Sequence, residues 1–357
     1  MTKKKVLFVI NDLSMPGGLA TVTSQLSKDL QCDEVYVQCL TLANKYKRVF
    51  PSYVTELGLS YLHGLNPIAK LAWYINARRE LKTFLASNHF DCIIGVGSAM
   101  SMLLASISSM SGQVWGAEHT AYANASSVRM LLKLACYKRL DRLICLTESD
   151  AELYRKSLRH VVSIPNYTPH ATTIHRCNTQ TKRLLYLGRF TKTKGSDFLA
   201  QIVKKFAQEH SDWQIALFGE GPDKQIIETQ LASFIAKGQV SIEEPTSDVQ
   251  TEYLQSSLLI MTSRNEGFPM VLLEAQAHGL PIVCFDCETG PSEIISPGED
   301  GYLIPTFSID AFGQALSSLA VDPDARRNMS KMALVNRERF SKDFVIKQWL
   351  EQFKVSL

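Results

Sequence analysis

The chain has 357 residues, of which 45% are apolar and 20% are charged, and its formal net charge is +3. This length is too great for one ordinary core and predicts two domains, and the composition excludes a disordered chain. No apolar run reaches the ~18 residues that a membrane-spanning helix needs, and residues 6–10 are too few for a signal-peptide core. We therefore expect a cytoplasmic protein whose eight scattered cysteines are mostly reduced core residues.

Short apolar runs alternate with helical periodicity along the chain, which predicts parallel sheets with helices between the strands. In the first half the candidate strands are residues 6–10, 35–40, 92–95, 113–116, 143–146 and 161–164. Pro165 and Pro169 then break the pattern, and the polar residues 170–181 are predicted to be a linker. A second series of candidate strands follows at residues 183–187, 214–218, 240–242, 258–261, 282–284 and 302–304.

The two series predict two doubly wound, Rossmann-like α/β domains, residues 1–170 and residues 171–340. Residues 341–357 predict a C-terminal helix that packs back toward the N-terminal domain. The apolar side chains available for that packing are Phe344, Trp349, Leu350 and Phe353. Ligands of doubly wound sheets bind at the carboxyl ends of the strands, so we expect a site in the cleft between two facing domains.

Two loops that follow predicted strands carry residues suited to phosphate groups. Gly17 and Gly18 follow the first strand and begin a helix, where the backbone can approach a phosphate closely. Arg189 and Lys194 follow the first strand of the second domain, and a helix begins near Gly195. Two cations beside helix-end amides suit a diphosphate. The alternative for the Gly17-Gly18 loop is an ordinary strand-to-helix turn. The alternative for the loop with Arg189 and Lys194 is a solvated loop whose cations face water.

Two further motifs also follow candidate strands. His119 ends the fourth one, where its ring either faces a ligand or forms a structural hydrogen bond. Glu266 and Glu274 flank a Gly-Phe-Pro turn between a strand and a helix that begins near Met270. Backbone N–H groups at such a turn can hold an anion. At a rise of ~1.5 Å per residue the two carboxylates can contact different parts of one extended ligand, although Glu274 also fits an ordinary acid of a first helical turn.

In combination these motifs resemble those of the retaining glycosyltransferases of family four, which have the two-domain GT-B fold. Glu266 and Glu274 match the family's E-x7-E motif, and residues 188–195 resemble its phosphate-clamp loop. The Gly17-Gly18 loop resembles the family's N-terminal glycine loop, and His119 stands where the family has a sugar-contacting histidine. The resemblance runs through most of the chain and is strongest over residues 184–305.

The resemblance implies four catalytic residues. His119 is expected near O6 of the donor sugar, Glu266 near its O3 or O4, and Arg189 and Lys194 on the diphosphate. The sugar is expected to be attacked on the face from which the phosphate departs, with that phosphate acting as the base. Glu266 then positions the donor and is not a nucleophile, unlike the second carboxylate of a double-displacement enzyme.

The resemblance implies further donor contacts along the second domain. Glu274 is expected to bind the ribose hydroxyls, the backbone after Glu266 to hold sugar and phosphate, and residues 243 and 244 to frame the base. The complete set of predicted donor-binding residues is Gly17, Gly18, Arg189, Lys194, Glu243, Glu244, Gly267, Phe268, Pro269, Met270, Val271 and Glu274. The one Asp-x-Asp match, at residues 322–324, is predicted to be a helix-capping turn, so no metal cofactor is expected.

The charge distribution suggests an acidic partner for the N-terminal half. Residues 1–171 contain 19 Lys/Arg and 12 Asp/Glu, a net +7, whereas the remainder contains 19 and 23, a net −4. Residues 68–82 and 128–139 both mix bases with apolar and aromatic residues. Such helices can lie on an anionic leaflet at the inner face of the plasma membrane, and they equally fit ordinary α/β helices with a solvated basic face.

The sequence therefore predicts an enzyme that moves a hexose or N-acetylhexosamine from a nucleotide sugar, UDP-linked, to a lipid-linked or lipopolysaccharide-type glycan. The UDP assignment comes from the resemblance of residues 285–295 to glycan-building members of the family. A sugar-nucleotide epimerase, a phosphorylase and a non-catalytic nucleotide-sugar-binding protein are the alternatives. Nucleic acid is not expected as a partner, because no platform of aromatic and basic side chains accompanies the basic half.

Overall fold

The computed structural model describes residues 3–15, 17–62, 64, 66–107, 110–168 and 177–356. The chain divides into two compact units, Met1–Asn166 with Asp343–Leu357, and Tyr167–Lys342. The boundaries predicted from sequence, at residues 170 and 341, lie close to these divisions. Pro169 and most of the predicted linker, residues 170–176, are outside the described residues.

The described part of the first unit contains a seven-stranded parallel sheet in the order β3-β2-β1-β4-β5-β6-β7. Its strands are β1 (Lys4–Asp12), β2 (Val35–Ala43), β3 (Val54–Glu56), β4 (Cys92–Val96), β5 (Gln113–Ala117), β6 (Arg142–Cys145) and β7 (Val161–Ser163). Six of these strands overlap predicted ones. The exception is β3, a three-residue edge strand whose side chains are half-buried or exposed. Such a strand does not need an apolar run, and its sequence has none that could have predicted it. His119 therefore follows the fifth strand, and not the fourth as predicted.

Five helices connect the strands of this unit in the described residues: α1 (Gly18–Asp29), α2 (Pro67–Ser87), α3 (Ser98–Ala105), α4 (Ser127–Tyr137) and α5 (Glu148–Arg155). Local capping explains where some of them begin. The Asn66 side chain accepts a hydrogen bond from the Ala69 N–H before α2, and Pro67 occupies the first helical position. Both basic segments predicted from sequence are helical, since residues 68–82 lie in α2 and most of residues 128–139 lie in α4.

The described part of the second unit contains a six-stranded parallel sheet in the order β10-β9-β8-β11-β12-β13. Its strands are β8 (Arg183–Leu187), β9 (Gln214–Phe218), β10 (Val240–Glu243), β11 (Leu258–Met261), β12 (Ile282–Asp286) and β13 (Gly301–Pro305). The helices are α6 (Ser196–Glu209), α7 (Lys224–Ala236), α8 (Val249–Gln255), α9 (Met270–Ala277), α10 (Pro291–Ile294), α11 (Ile309–Val321) and α12 (Pro323–Asn336). All six strands overlap predicted ones, because each contains apolar residues in a short run and four of them are mainly buried.

Both sheets change the direction of their winding beside the first strand. In the first unit β1 lies between β2 and β4, and in the second unit β8 lies between β9 and β11. Such a switch point leaves a crevice at the carboxyl ends of the two central strands, where ligands of doubly wound folds bind. The predicted doubly wound α/β fold class is therefore confirmed for both units, and the loops after β1, β4, β8 and β11 are the places to search for a site.

The last helix, α13 (Lys342–Ser356), packs on the sheet of the first unit. Val345, Trp349 and Phe353 recur every four residues and are buried. The Trp349 ring lies 5.9 Å from that of Phe8, and the Phe353 ring lies 5.4 Å from that of Trp115. The prediction was wrong for Phe344, which is 50% exposed because it lies one position before this stripe.

All eight cysteines are free thiols, and six of them are buried, as predicted for reduced core residues. Burial raises the pKa of the Cys287 thiol to about 12, which keeps it protonated. None of the helices in the described residues is both long and apolar enough to span a bilayer.

Candidate active site

The loop after β8 and the loop after β11 are joined at the switch point of the second unit. Lys194 ends a short 3-10 turn, Lys192–Lys194, and Gly195 follows it in the left-handed conformation, with φ 71°, before α6 begins. The Thr262 hydroxyl donates a hydrogen bond of 3.0 Å to the Lys194 carbonyl. A Cβ atom at Gly195 would lie 1.9 Å from the Thr262 carbonyl oxygen, so only glycine allows this approach.

This junction brings two of the predicted catalytic residues together. Nζ of Lys194 lies 2.6 Å from Oε1 of Glu266, which comes from the loop after β11. The side chains are 27% and 10% exposed, so both can still reach a ligand. A cation and a carboxylate that contact each other at a switch point can receive a phosphate group and a hydroxyl group side by side.

Arg264 fastens the two loops, a role that the motifs did not predict. Its guanidinium donates to both carboxylate oxygens of Asp197 at 2.7 Å and to the Lys192 carbonyl at 2.7 Å. It also stacks 4.1 Å from the centre of the Phe198 ring. A fork of this kind has a fixed direction, so Arg264 sets the path of the chain between β11 and Glu266. Its position two residues before Glu266 was the only feature of the sequence motif that could have suggested this role.

The turn after Glu266 has the predicted strand, turn and helix arrangement, since α9 begins at Met270. The Phe268 ring is buried 5.7 Å from that of Phe340. The Thr289 hydroxyl donates a 3.2 Å hydrogen bond to the Glu266 carbonyl from the segment after β12. No described side chain caps the N-terminus of α9, which leaves its first N–H groups for an anion.

Glu274 lies one helical turn inside α9, and Tyr253 from α8 holds it. The buried Tyr253 hydroxyl donates a 2.7 Å hydrogen bond to Oε2 of Glu274. The Tyr253 ring stacks on that of His278, 5.1 Å away, and Nδ1 of His278 lies 2.7 Å from the Glu274 carbonyl oxygen. Burial raises the pKa of Glu274, and the Tyr253 hydroxyl partly opposes this rise. With Oε2 occupied, Oε1 is the oxygen that can accept from a ligand.

Three other predicted residues also lie at the carboxyl edge of the second sheet. Arg189 follows β8 in the same loop as Lys194, and its side chain is exposed without a hydrogen-bond partner in the described parts of the chain. Glu243 ends β10 with an exposed side chain. Glu244 follows it and forms an ion pair with Lys224. Neither glutamate is buried, so both are accessible to a ligand at this edge.

The candidate residues of the first unit lie at the carboxyl ends of β1 and β5. Gly17 precedes α1 with φ 139°, a conformation that favours glycine, and Gly18 begins the helix. His119 follows β5 and is half-buried. Burial lowers the pKa of its imidazole to about 4, against the opposing charge of Glu118, so the ring is neutral near pH 7.

Glu118 is a buried carboxylate beside His119 that the sequence motifs did not single out. Nζ of Lys133 lies 2.6 Å from its Oε2, and the two side chains are 6% and 1% exposed. Lys133 belongs to the basic segment 128–139, where a solvated base was expected. The basic residue on an otherwise apolar inner face of α4 was the signal that could have revealed the pair.

The structure confirms that residues 322–324 form a capping turn. The Asp322 side chain accepts hydrogen bonds from the N–H groups of Asp324 and Ala325 at the start of α12. Across the described residues, no group of three or more His, Cys, Asp or Glu side chains is arranged to hold a metal ion.

Part of the chain matches a known protein family. Residues 171–334 match the family model described as Glycosyl transferases group 1. The match assigns the second unit of the chain, and not its whole length, to this family. The matched region covers nearly all of the second unit of this glycosyltransferase, including the Lys194–Glu266 pair and Glu274.

Relatives of this glycosyltransferase are named for bacterial glycan synthesis. It is 26% identical to amylovoran biosynthesis glycosyltransferase AmsD of Erwinia amylovora, over 97% of this chain and 98% of the relative. It is also 32% identical to the lipopolysaccharide 1,6-galactosyltransferase of Salmonella typhimurium, a match that covers 36% of each chain.

Solved structures share its fold. S. aureus TarM in complex with UDP matches with a TM-score of 0.81 at 14% identity, covering 98% of this chain and 99% of that one. The lipopolysaccharide outer core galactosyltransferase WaaB matches with a TM-score of 0.78 at 19% identity, covering 99% of this chain and 100% of that one. At these identities the likeness shows the fold, which is GT-B.

Proposed function

We propose that this glycosyltransferase is a retaining enzyme that transfers a hexose or N-acetylhexosamine from a UDP-linked donor to a lipid-linked or lipopolysaccharide-type glycan. The observation that carries the proposal is the contact between Lys194 and Glu266 at the switch point of the second sheet, beside the N-terminus of α9. The donor class is supported by the UDP bound in the TarM complex, and the acceptor class by the names of AmsD and the Salmonella galactosyltransferase.

The chemistry of transfer fits these residues. Cleavage of the anomeric bond leaves negative charge on the departing diphosphate, and fixed cations stabilise charge where it develops. Lys194 is held in place by the joined loops, and Arg189 is a second cation on the same loop. In the free protein Glu266 neutralises Lys194. In the donor complex we assign Lys194 to the diphosphate and Glu266 to the sugar hydroxyls, with the phosphate itself serving as the base for same-face attack.

Release of the nucleoside diphosphate from a sugar donor tests the proposed transferase function. The protein is incubated with UDP- and GDP-linked sugars, with and without a lipid-linked glycan acceptor, and a chelator arm tests our proposal that no metal is needed. We expect UDP release that a chelator leaves unchanged, and a product that retains the anomeric configuration. Dependence on orthophosphate would indicate a phosphorylase, and conversion of the sugar without release an epimerase. Binding without turnover would indicate a non-catalytic protein.

The contact of Tyr253 with Glu274 predicts how UDP affinity depends on pH. Glu274 must be ionised to accept both ribose hydroxyls, and burial raises its pKa, so affinity should fall as the pH falls through that raised value. Tyr253→Phe removes the O–H donor that opposes the rise, so the acid limb should move to higher pH. At acid pH, UDP should bind roughly tenfold more weakly than to the wild type, since a hydrogen bond to a charged group contributes about 1.5 kcal/mol.

Calorimetric titration of UDP across the acid and neutral range measures this effect. Tyr302→Phe is the matched control, because the half-buried Tyr302 has no hydroxyl partner in the described residues. An acid limb that stays at its wild-type pH in Tyr253→Phe would contradict the role of this hydroxyl.

The acceptor side is proposed to be an anionic membrane surface at the inner face of the plasma membrane. On α2 the exposed side chains of the first half include Ile68, Leu71 and Ile75 together with the base Lys70, and further exposed bases follow residue 77. On α4 Val128 and Leu131 are exposed beside the exposed base Arg129, and further exposed bases follow the end of the helix. Apolar side chains that can enter the headgroup region, next to bases that attract anionic lipid, suit a bilayer surface that carries lipid-linked acceptor.

Flotation with anionic vesicles tests this docking surface. Leu131 is 69% exposed on α4. Leu131→Glu should weaken vesicle binding about tenfold, because it removes a leucine that would be buried in the membrane and adds a negative charge that anionic lipid repels. Ile226→Glu is the control, since Ile226 is 51% exposed on α7 of the second unit. Equal flotation of the two variants, or no flotation of the wild type at low salt, would count against membrane docking.

A further inference from the structure

The Glu118 carboxylate is a meeting point of four elements of the first unit. Oε2 contacts Nζ of Lys133 at 2.6 Å and accepts from the hydroxyl of Tyr137, both on α4, at 2.8 Å. Ser98, at the start of α3, donates to Oε1 at 2.9 Å. The hydroxyl of Tyr154, on α5, lies 3.5 Å away. Glu118 itself follows β5, so this one carboxylate ties the end of the strand to three helices.

The same carboxylate holds the backbone that carries His119. Oε1 accepts the main-chain N–H groups of His119 and Thr120, both at 3.2 Å, and the Thr120 hydroxyl at 2.7 Å. Because the two N–H groups bracket the Cα atom of His119, the direction in which the imidazole leaves the chain is set by Glu118.

Glu118 is held in its ionised form despite its burial. Burial alone would raise its pKa, but the charge of Lys133 and hydrogen bonds from Lys133, Thr120 and Tyr137 outweigh that effect and lower it. A buried ion pair adds little to stability compared with apolar side chains of the same volume. Core packing therefore does not by itself explain why a lysine and a glutamate occupy this place.

We propose that Glu118 and Lys133 are positioning residues for the transfer reaction, which fix the turn after β5 and thereby set the direction in which the imidazole of His119 meets the substrate. The inference rests on the proposed function and adds two residues to it. Lys133 holds the carboxylate in place, and the carboxylate holds the turn. In this proposal His119 is the group that contacts substrate, and its ring offers one N–H donor and one acceptor nitrogen.

Two double variants without a buried charge test the proposal. Glu118→Gln with Lys133→Met keeps an acceptor for the His119 and Thr120 N–H groups, whereas Glu118→Leu with Lys133→Met removes it. Both are assayed at a temperature at which each is fully folded by circular dichroism. We expect the glutamine pair to keep kcat within about threefold of the wild type and the leucine pair to lose about tenfold in kcat, with UDP affinity unchanged in both.

The second readout is the dependence on His119. In a His119→Ala background the leucine pair should cause no further loss, because residues that act as a unit are not additive. Equal kcat in the two folded double variants, or losses that multiply with His119→Ala, would overturn the proposal.

Amide hydrogen exchange gives a readout that does not need turnover. Exchange at His119 and Thr120 should be slow in the wild type and in the glutamine pair, and at least tenfold faster in the leucine pair, while β5 stays protected. Unchanged exchange in the leucine pair would overturn the proposal. If the wild type transfers no sugar, the proposed function fails, and the exchange result still decides whether Glu118 holds the turn.

Discussion

Replacing Lys194 by methionine is expected to lower kcat/KM for glycosyl transfer about 100- to 1000-fold, the range seen when one fixed donor to a developing oxyanion is removed. The methionine keeps the apolar stem and removes the charge that meets the departing diphosphate. It also leaves Glu266, only 10% exposed, without its cation. The loss should appear in kcat as well as in KM, because the charge on the phosphate grows in the transition state. Initial rates of UDP release measure it.

Lys192→Met is the matched control for this variant. Lys192 lies in the same 3-10 turn, two residues earlier, and its side chain is exposed. Its carbonyl accepts hydrogen bonds from Gly195 and Arg264, and these contacts do not depend on the side chain. We expect activity within about twofold of the wild type, as for most surface substitutions. Equal losses in the two variants would show that general charge, and not the position of Lys194, assists the reaction.

Gly195→Ala is expected to lower the free energy of unfolding by about 2–5 kcal/mol. A left-handed conformation costs a residue with a Cβ atom roughly 1–2 kcal/mol. The new Cβ would also lie 1.9 Å from the Thr262 carbonyl oxygen, so the loops after β8 and β11 must separate, at a cost of about 1–3 kcal/mol more. Denaturant unfolding measures the change. Because the separation moves Lys194 away from Glu266, activity should fall even where the variant is folded.

Gly238→Ala separates the two contributions. Gly238 has the same φ of 71°, and a Cβ atom there would have no heavy atom within 4 Å. It should therefore cost the conformational part alone, roughly 1–2 kcal/mol, and leave transfer unchanged. Similar losses of stability in the two variants would mean that the close approach to Thr262 does not contribute to the free-energy cost. Normal activity of folded Gly195→Ala would mean that the junction does not position Lys194.

Much of the fold was predictable because most of its strands are buried apolar runs. Residues 183–187, 214–218 and 258–261 have the same bounds in the structure as in the prediction. A strand that is covered on both faces needs apolar side chains at every position, and this pattern is visible in the sequence. The short edge strand β3 has no such requirement, and it was missed. Phe344 shows the reverse error, since an apolar residue of a helix is buried only if it lies on the packed stripe.

The motifs also identified residues that the structure brings together, but not the side chains that hold them. Lys194 and Glu266 are 72 residues apart and were both predicted. Their support comes from Arg264, which reaches back 67 residues to Asp197, and Glu274 is held by Tyr253, which is 21 residues away. Such partners follow no spacing rule, because the distance between them in space depends on which strands become neighbours.

What the sequence by itself determined was the order of strands and helices, the loops that follow the strands and the residue types in those loops. These features depend on local patterns of burial, turn formation and charge, which are written in consecutive residues. Only the tertiary structure decided that β11 lies beside β8 and that Lys194 contacts Glu266. It also decided that a lysine of α4 is buried and forms an ion pair with Glu118. The physical reason is that charge pairing across a sheet edge depends on long-range packing, which local patterns do not encode.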